Sequence, residues 1–262
     1  MTASYSATNG RPAHLLALGL TPYARAEALQ ERLVTARQSD RIADTLILLE
    51  HTPVITLGRR ADPAHIRAPP ETLAREGIEV RRTERGGDVT YHGPGQIVGY
   101  PIVHLHALGL GASDYMHRLE DVVGAALADF GIASHRREGL IGVWVGPHKI
   151  AALGVRIKRG VAYHGWALNV RANMAHWAAI LACGITDGGV TSMHLEMAAP
   201  PSVEAVGERL AHHFSRHFGL RLVPTELATL EAAAAPPIAS PSTNAAPSCE
   251  RPVHQPTTGA QV

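Results

Sequence analysis

The sequence predicts an α/β protein of the α+β type, with a mixed, largely antiparallel sheet and helices packed against it. Three observations favour this class. Strand-like segments outnumber helix-like ones, short turns join most of them, and two amphipathic segments each have the length of one helix. With 262 residues, of which 45% are hydrophobic and 18% charged, the chain can bury a substantial core.

The N-terminal half predicts two helices and several strands. Alanine and leucine with interspersed charges over residues 22–38 indicate a helix. Residues 44–57 contain two β-rich runs that are separated at residues 51–53. A short helix is expected over 70–77, and residues 78–105 are strand-like around a glycine-rich interruption.

The second half contains the two clearest helices with strands between them. Apolar residues recur at helical spacing over 114–130 and again over 203–218, where Ser202 is a suitable N-cap. Between these helices, the pattern of residues 140–170 predicts three strands. Residues 158–160 are expected to form the hairpin turn between the last two.

A change in composition at residue 231 predicts the domain boundary. Residues 231–262 are rich in Ala, Pro, Ser and Thr and contain no aromatic residue. Such a segment cannot bury enough apolar surface to offset the entropy lost on ordering. We therefore predict one folded domain over 11–230, between a flexible N-terminus at 1–10 and a disordered tail at 231–262.

Charge and segment composition exclude several classes of protein. Lys and Arg number 24 against 23 Asp and Glu, a formal net charge of +1, so a general nucleic-acid-binding protein is not expected. No apolar run has the length of a membrane helix, and the first residues do not resemble a secretory signal. Cys183 and Cys249 alone cannot form a disulfide framework, so a cytoplasmic protein is expected.

A glycine-rich segment and two reactive residues are candidates for the chemistry. Residues 85–96, RGGDVTYHGPGQ, hold four glycines between two strand-like runs, which allows a ligand to approach the main chain closely. Lys149 stands near the start of a strand, where a solvated lysine is the ordinary interpretation. Cys183 precedes a glycine in a loop, where a small buried apolar residue is the ordinary interpretation. No nucleotide-phosphate motif accompanies them.

The sixteen histidines do not predict a metal site. His104 and His106 alternate on a predicted strand, and His213 and His217 are one helical turn apart. Neither pair has a third ligand nearby in the sequence, whereas a zinc site needs three or four. We therefore expect no metal.

Three segments, in this order and spacing, resemble the bacterial lipoyl(octanoyl) transferase family. They are RGGDVTYHGPGQ, then GVWV followed by KIAALGVRIKRGVAYHGWALNV, then CGITDGGVTSM. The resemblance covers about residues 45–195. It implies a catalytic fold like that of lipoate- and biotin-protein ligases. It also implies transfer of an octanoyl group from acyl carrier protein to a lipoyl-domain lysine, in 2-oxoacid dehydrogenase complexes and glycine cleavage H protein.

The resemblance also implies roles for individual residues. By motif position, Cys183 carries the acyl group as a thioester, and Lys149 lowers the pKa of its thiol. Ala182 departs from the proline that members commonly have before this cysteine, which removes no reactive group. The substrate-contacting stretches of the family fall on Arg85, Gly86, Gly87, Asp88, Val89, Thr90, Tyr91, His92, Ala152, Leu153, Gly154, Gly165, Trp166 and Ala167.

The chemistry of the residues agrees with the role that the resemblance implies. An octanoyl group on carrier protein is already a thioester, so its transfer to an amine needs neither ATP nor a cofactor, and a cysteine thiolate suits thioester exchange. Two alternatives remain open. One is an ATP-dependent lipoate-protein ligase on the same fold, which would not need Cys183. The other is a non-catalytic protein that binds lipoyl domains or octanoyl groups.

Overall fold

Strands and helices alternate along residues 10–182 and 189–236, the part of the chain that the computed structural model describes. The strands are β1 (Arg11–Thr21), β2 (Thr45–His51), β3 (Val54–Leu57), β4 (Glu79–Arg82), β5 (Val89–His92), β6 (Gln96–His104), β7 (His135–Arg137), β8 (Leu140–Val145), β9 (His148–Lys158), β10 (Val161–Asn169) and β11 (Leu220–Pro224). The helices are α1 (Tyr23–Gln38), α2 (Pro70–Arg75), α3 (Ala112–Ala128), α4 (Met193–Glu196), α5 (Val203–Phe218) and α6 (Leu227–Ala234).

Two sheets form the β-structure of these residues. The main sheet has eight strands in the order β11-β1-β2-β6-β10-β9-β8-β7. Strand β1 runs parallel to β2 and β11. Across the rest of this sheet, from β2 through β6, β10, β9 and β8 to β7, each strand is antiparallel to its neighbour. The second sheet has the order β4-β3-β5, with β3 parallel to β4 and antiparallel to β5. The predicted mixed, largely antiparallel sheet is confirmed.

Helices cover both faces of the main sheet, which agrees with the predicted packing of helices against it. Successive strand residues point to opposite faces, so the buried side chains divide into two sets. Leu46 and Leu168 pack with α3 and α5, whereas Ile47 and Ala167 pack with α1 and α6. We call these two sides the α3/α5 face and the α1/α6 face. None of the helices in the described ranges is long and apolar enough to cross a membrane.

The local sequence signals place the elements of the second half correctly. Ser202 Oγ accepts a hydrogen bond from the amide of Ala205 at 3.2 Å and caps α5. The three strands predicted over 140–170 are β8, β9 and β10. Their turn contains Arg159 and Gly160 at φ of +48° and +79°, the left-handed conformations of a tight hairpin.

One close approach between neighbouring strands depends on a glycine. Gly99 in β6 lies opposite Trp166 in β10. A Cβ atom at position 99 would stand 2.2 Å from the indole ring, closer than any real contact. The missing side chain therefore makes room for an indole that is only 1% exposed.

The predicted start of the tail, residue 231, is wrong. Helix α6 continues to Ala234, and Leu230 is fully buried against the α1/α6 face. Arg32 and Glu231 form an ion pair at 2.5 Å. Helix α6 thus belongs to the folded domain. The predicted flexible N-terminus, apart from Gly10, and residues 237–262 with Cys249 lie outside the described residues.

Helix α6 gives a prediction about stability. Leu230→Ala should lower the free energy of unfolding by about 2–5 kcal/mol, because it removes a buried side chain and leaves a cavity. Truncation after residue 236 should leave it nearly unchanged. Urea unfolding of both variants tests this. Equal stability of Leu230→Ala and the parent protein would mean that α6 does not anchor the domain.

Candidate active site

A cavity lies between the glycine-rich loop, the β9–β10 hairpin and the start of α1. Most of the residues that the sequence assigned to substrate contact line it. These are Arg85, Gly87, Thr90, His92, Ala152, Leu153, Gly154, Gly165, Trp166 and Ala167. Tyr23, Tyr100 and His164 complete the lining and were not predicted.

A row of small residues on the hairpin makes room for the cavity. The register pairs Ala152 with Ala167 and Gly154 with Gly165. Residues two apart on a strand share a face, so these two pairs lie side by side on the same surface. Ala167 packs on the α1/α6 face, which places the row on that side of the sheet. We call these four residues the small-residue row.

Arg85 holds the glycine-rich loop from the inside. Its side chain is 7% exposed, and its Nε and Nη2 atoms donate to Thr56 Oγ1 at 3.0 and 2.8 Å. Nη2 also donates to the carbonyl oxygens of Thr56 at 2.6 Å and Asp88 at 2.8 Å, and Nη1 donates to that of Gly86 at 3.0 Å. The guanidinium thereby fixes the loop to β3 and presents a positive charge at the cavity.

Glycines allow the loop to pack closely on its neighbours. Gly87 adopts a φ of +90°, which side chains rarely tolerate. A Cβ on Gly58 would stand 2.4 Å from the carbonyl oxygen of Gly87. The Gly86 amide donates to the carbonyl oxygen of Val155 at 3.0 Å and so joins the loop to β9.

Four loop residues predicted to contact substrate do not line this cavity as the described residues form it. They are Gly86, which bonds to β9, and Asp88, Val89 and Tyr91, which point elsewhere. Asp88 accepts from His65 Nδ1 at 2.5 Å. Val89 and Tyr91 pack in the apolar cluster of the small sheet, and the Tyr91 hydroxyl is hydrogen-bonded to His176 Nδ1 at 2.6 Å. Alternation along β5 explains the placement of Val89 and Tyr91, because Thr90 and His92 face the cavity and these two face away.

Burial keeps the histidines and tyrosines in and next to the cavity neutral. It lowers the pKa of His51 to about 4 and of His164 to about 3, in the second case with help from the charge of Arg85. Burial also lowers the pKa of His92 well below its usual value and raises that of Tyr23 to about 12. The cavity thus offers neutral imidazoles and protonated phenols around one arginine.

A chain of hydrogen bonds connects His92 with the backbone at Lys149. His92 Nδ1 donates to Gln96 Oε1 at 2.7 Å, and Gln96 Nε2 donates to Asn169 Oδ1 at 2.9 Å. Asn169 Nδ2 then donates to the carbonyl oxygen of Thr191 at 2.9 Å, and the Thr191 amide donates to that of Lys149 at 2.9 Å. These bonds place the proton of the neutral His92 on Nδ1 and leave Nε2 as an acceptor.

Lys149 lies in β9 with its side chain 6% exposed. Its Nζ donates to the carbonyl oxygen of Ile141 at 3.0 Å and stands 4.9 Å from the centre of the Trp144 ring. A carbonyl oxygen and an indole face both stabilise an ammonium group. The predicted surface interpretation of this lysine is therefore wrong.

Cys183 and the residues up to 188 lie outside the described part of the chain, but the residues on either side are anchored. Leu181 donates its amide to the carbonyl oxygen of His65 at 2.7 Å. Ala182 and Val190 pack against the apolar cluster of the small sheet.

Comparison with known proteins identifies the family. The model of the lipoyl protein ligase A/B catalytic domain matches residues 22–215. The octanoyltransferase of Acidobacterium capsulatum is 44% identical over 219 residues, which cover 79% of this chain and 88% of that protein. That of Syntrophobacter fumaroxidans is 46% identical over 208 residues, which cover 79% and 91%. The chain belongs to the octanoyltransferase family.

The predicted acyltransferase is thereby confirmed, and octanoyl transfer in protein lipoylation is its activity. Solved relatives of this octanoyltransferase share its fold. Lipoate-protein ligase A bound with ATP superposes with a TM-score of 0.69 at 16% identity, over 85% of this chain and 92% of that one. The archaeal lipoate protein ligase from Thermoplasma acidophilum gives 0.67 at 16% identity, over 86% and 91%.

Sequence reasoning missed three cavity residues of this octanoyltransferase, and two of them, Tyr23 and Tyr100, come from other elements. Tyr23 is the first residue of α1, and its hydroxyl is 2.9 Å from Thr83 Oγ1. Tyr100 in β6 has its hydroxyl 2.7 Å from His51 Nε2. His164 precedes the predicted Gly165, a proximity that could have drawn attention to it.

The neutral histidines predict acid-sensitive stability in the octanoyltransferase. Their folded pKa values lie below the ordinary 6.5, so the unfolded chain binds protons first as the pH falls. The free energy of unfolding should decrease between pH 6.5 and 4, by up to about 1.4 kcal/mol per pH unit for each histidine. His164→Asn should reduce this dependence in urea unfolding at pH 7 and 5, and the exposed His106→Asn should not. The same slope in both variants would refute the assignment.

No group of three or more His, Cys, Asp or Glu side chains in residues 10–182 and 189–236 is arranged to hold a metal ion.

Proposed function

We propose that the chain transfers an octanoyl group from octanoyl-acyl carrier protein to a lipoyl-domain lysine through a thioester on Cys183. The pairing of Lys149 with the backbone just after the cysteine segment carries this proposal. The Lys149 amide donates to the carbonyl oxygen of Gly189, and the Thr191 amide donates to that of Lys149, both at 2.9 Å. This pairing brings Gly189 and Thr191, which follow the cysteine segment in the sequence, to the strand that carries the buried ammonium group.

In the first half-reaction, the Cys183 thiolate attacks the carbonyl carbon of the carrier-bound thioester. A carbon–sulfur bond to Cys183 forms as the bond to the pantetheine sulfur breaks, and the released thiolate takes up a proton. The Lys149 ammonium stabilises the attacking thiolate, because a cation close to a thiol favours the ionised form.

In the second half-reaction, the amine of a lipoyl-domain lysine attacks the Cys183 thioester. An amide bond forms, the Cys183 thiolate leaves, and the nitrogen loses one proton. A free lysine is almost fully protonated at neutral pH, so it loses one proton to solvent before it attacks. The second proton, released as the amide forms, goes to a neutral amine on the enzyme. Lys149 can supply this amine after its own deprotonation. Neither half-reaction requires a cofactor.

The acyl chain is proposed to lie along the small-residue row. Ala152, Gly154, Gly165 and Ala167 leave space beside the hairpin on the α1/α6 face. The neutral state of the cavity histidines suits an uncharged chain. We call this space along the row the acyl slot.

The proposed acceptors are lipoyl domains, including those of 2-oxoacid dehydrogenase complexes and glycine cleavage H protein. The archaeal structural relative is described as a lipoate protein ligase with its E2 lipoyl domain. A shared fold with such a ligase supports a protein acceptor of this kind.

Mass spectrometry of a lipoyl domain after incubation with octanoyl-acyl carrier protein and this enzyme tests the proposal. We expect the domain to gain one octanoyl group without ATP. Modification that requires ATP and a free fatty acid would instead indicate a ligase. Binding of the lipoyl domain without any mass gain would indicate a non-catalytic protein.

A further inference from the structure

Lys149 and His164 lie beyond opposite ends of residues 152–154, the part of β9 that lines the cavity. Lys149 is the second residue of β9, and His164 in β10 pairs with Val155 further along β9. The acyl slot begins at Ala152, three residues after Lys149. From Ala152 to Val155 is a further three residue steps, about 10 Å of extended strand.

His164 does not follow the alternation of its strand. Its neighbours two residues away, Ala162 and Trp166, belong to the α3/α5 face, which is where regular alternation would direct His164. The φ of His164 is +56°, and its ring instead stacks on that of the adjacent Tyr163, with centroids 4.8 Å apart and planes 27° apart. Neighbouring strand residues normally point to opposite sides. The left-handed backbone therefore turns the imidazole onto the α1/α6 face, where the slot lies.

The contacts of His164 fix the ring at this place. The Tyr100 ring packs against it edge to face, with the ring centroids 6.1 Å apart. Gln30 Oε1 in α1 accepts a hydrogen bond from the His164 backbone amide at 2.9 Å. Among the described residues, neither ring nitrogen has a hydrogen-bond partner, although the side chain is 2% exposed. The packing of the ring, and not a hydrogen bond to it, defines its position.

The unusual backbone points to a functional reason for a side chain here. A glycine would adopt a positive φ without strain, whereas histidine adopts it at a cost in conformational energy. What the histidine adds is ring volume in the cavity lining. The imidazole ring therefore lies where the small-residue row ends.

We propose that the imidazole of His164 is the end wall of the acyl slot and limits the length of the acyl chain that the enzyme accepts. This inference rests on the proposed function, because it requires the thioester end of the chain to lie towards Lys149 and the methyl end towards His164. His164 is thus a specificity-determining residue.

Competition between acyl donors tests the end wall. Enzyme is mixed with equal amounts of octanoyl-, decanoyl- and dodecanoyl-pantetheine, and the acyl groups on the protein are counted by intact mass spectrometry. His164→Gly should raise the ratio of dodecanoyl- to octanoyl-enzyme about tenfold or more over the parent, since pocket size governs discrimination between chain lengths. His164→Asn should raise it less, because asparagine tolerates the left-handed backbone and retains part of the volume.

Asp40→Gly is the matched control. Asp40 also has a positive φ, of +52°, and its side chain is exposed and is not part of the cavity lining. Like His164→Gly, this variant replaces a left-handed residue with glycine and so removes the same backbone strain. It should keep the parent's ratio of dodecanoyl- to octanoyl-enzyme.

The outcomes separate this inference from the proposed function. An acylated parent together with unchanged ratios in both His164 variants would overturn the end wall and leave the Cys183 thioester in place. A parent enzyme that no donor acylates would overturn the proposed function. A His164→Gly variant that folds, acylates and shifts towards longer chains supports both.

Discussion

Replacement of Cys183 by alanine is expected to abolish the acyl-enzyme and to lower octanoyl transfer by at least about a thousandfold. Alanine has no nucleophile, so the octanoyl group cannot move from carrier protein to enzyme. Intact mass spectrometry with octanoyl-acyl carrier protein alone should show one added octanoyl group on the parent protein. That group should be labile to hydroxylamine, and it should be missing in Cys183→Ala.

Cys249→Ala is the control for this experiment, because the chain has only these two cysteines. It should be acylated like the parent. Cys183→Ser should react slowly at best, since a hydroxyl ionises far less readily than a thiol. Full transfer activity in Cys183→Ala, or loss of the adduct in Cys249→Ala, would contradict the assignment of the nucleophile.

Lys149→Ala is expected to slow acyl-enzyme formation by about a hundredfold or more at neutral pH. The buried ammonium beside Ile141 and Trp144 is the cation proposed to favour the thiolate. Without it the thiol should ionise closer to the free-cysteine value of about 8.5, so the rate should recover partly as the pH rises towards that value. Acylation rates between pH 6 and 9.5 measure this shift.

Lys149→Arg separates the two proposed roles of the lysine. Arginine keeps the positive charge but cannot act as a base, so acyl-enzyme should form and then accumulate. Lys158→Ala is the matched control, because this lysine ends the same strand and is exposed. Parent rates and an unchanged pH profile in Lys149→Ala would show that another group activates Cys183, and His92 would then be examined first.

The sequence predicts the elements whose signals are local. Ser202 before an amphipathic segment, and three β-rich runs with a turn at 158–160, lead to α5 and to β8, β9 and β10 as observed. Strands β1 and β11 were not predicted. They pair in parallel across most of the chain, Arg11 with Leu220, and no local pattern specifies such a distant partner.

The predicted site residues fall into two groups, those that line the cavity and those that face away from it. Short motifs located the loop and the hairpin, but they could not tell which side chains turn into the cavity. Tyr91 lies within the predicted loop and packs away from the cavity. His164 was overlooked, and its left-handed backbone directs it to a face that alternation alone would not indicate.

Because Gly99 and Trp166 are in contact, the residue type at one position restricts the residue type at the other. Each position occupies volume that the other would need, so a change at one is tolerable only with a compensating change at the other. Redesign of this pair of strands should therefore change the two positions together. Related sequences should therefore show covariation between these two positions.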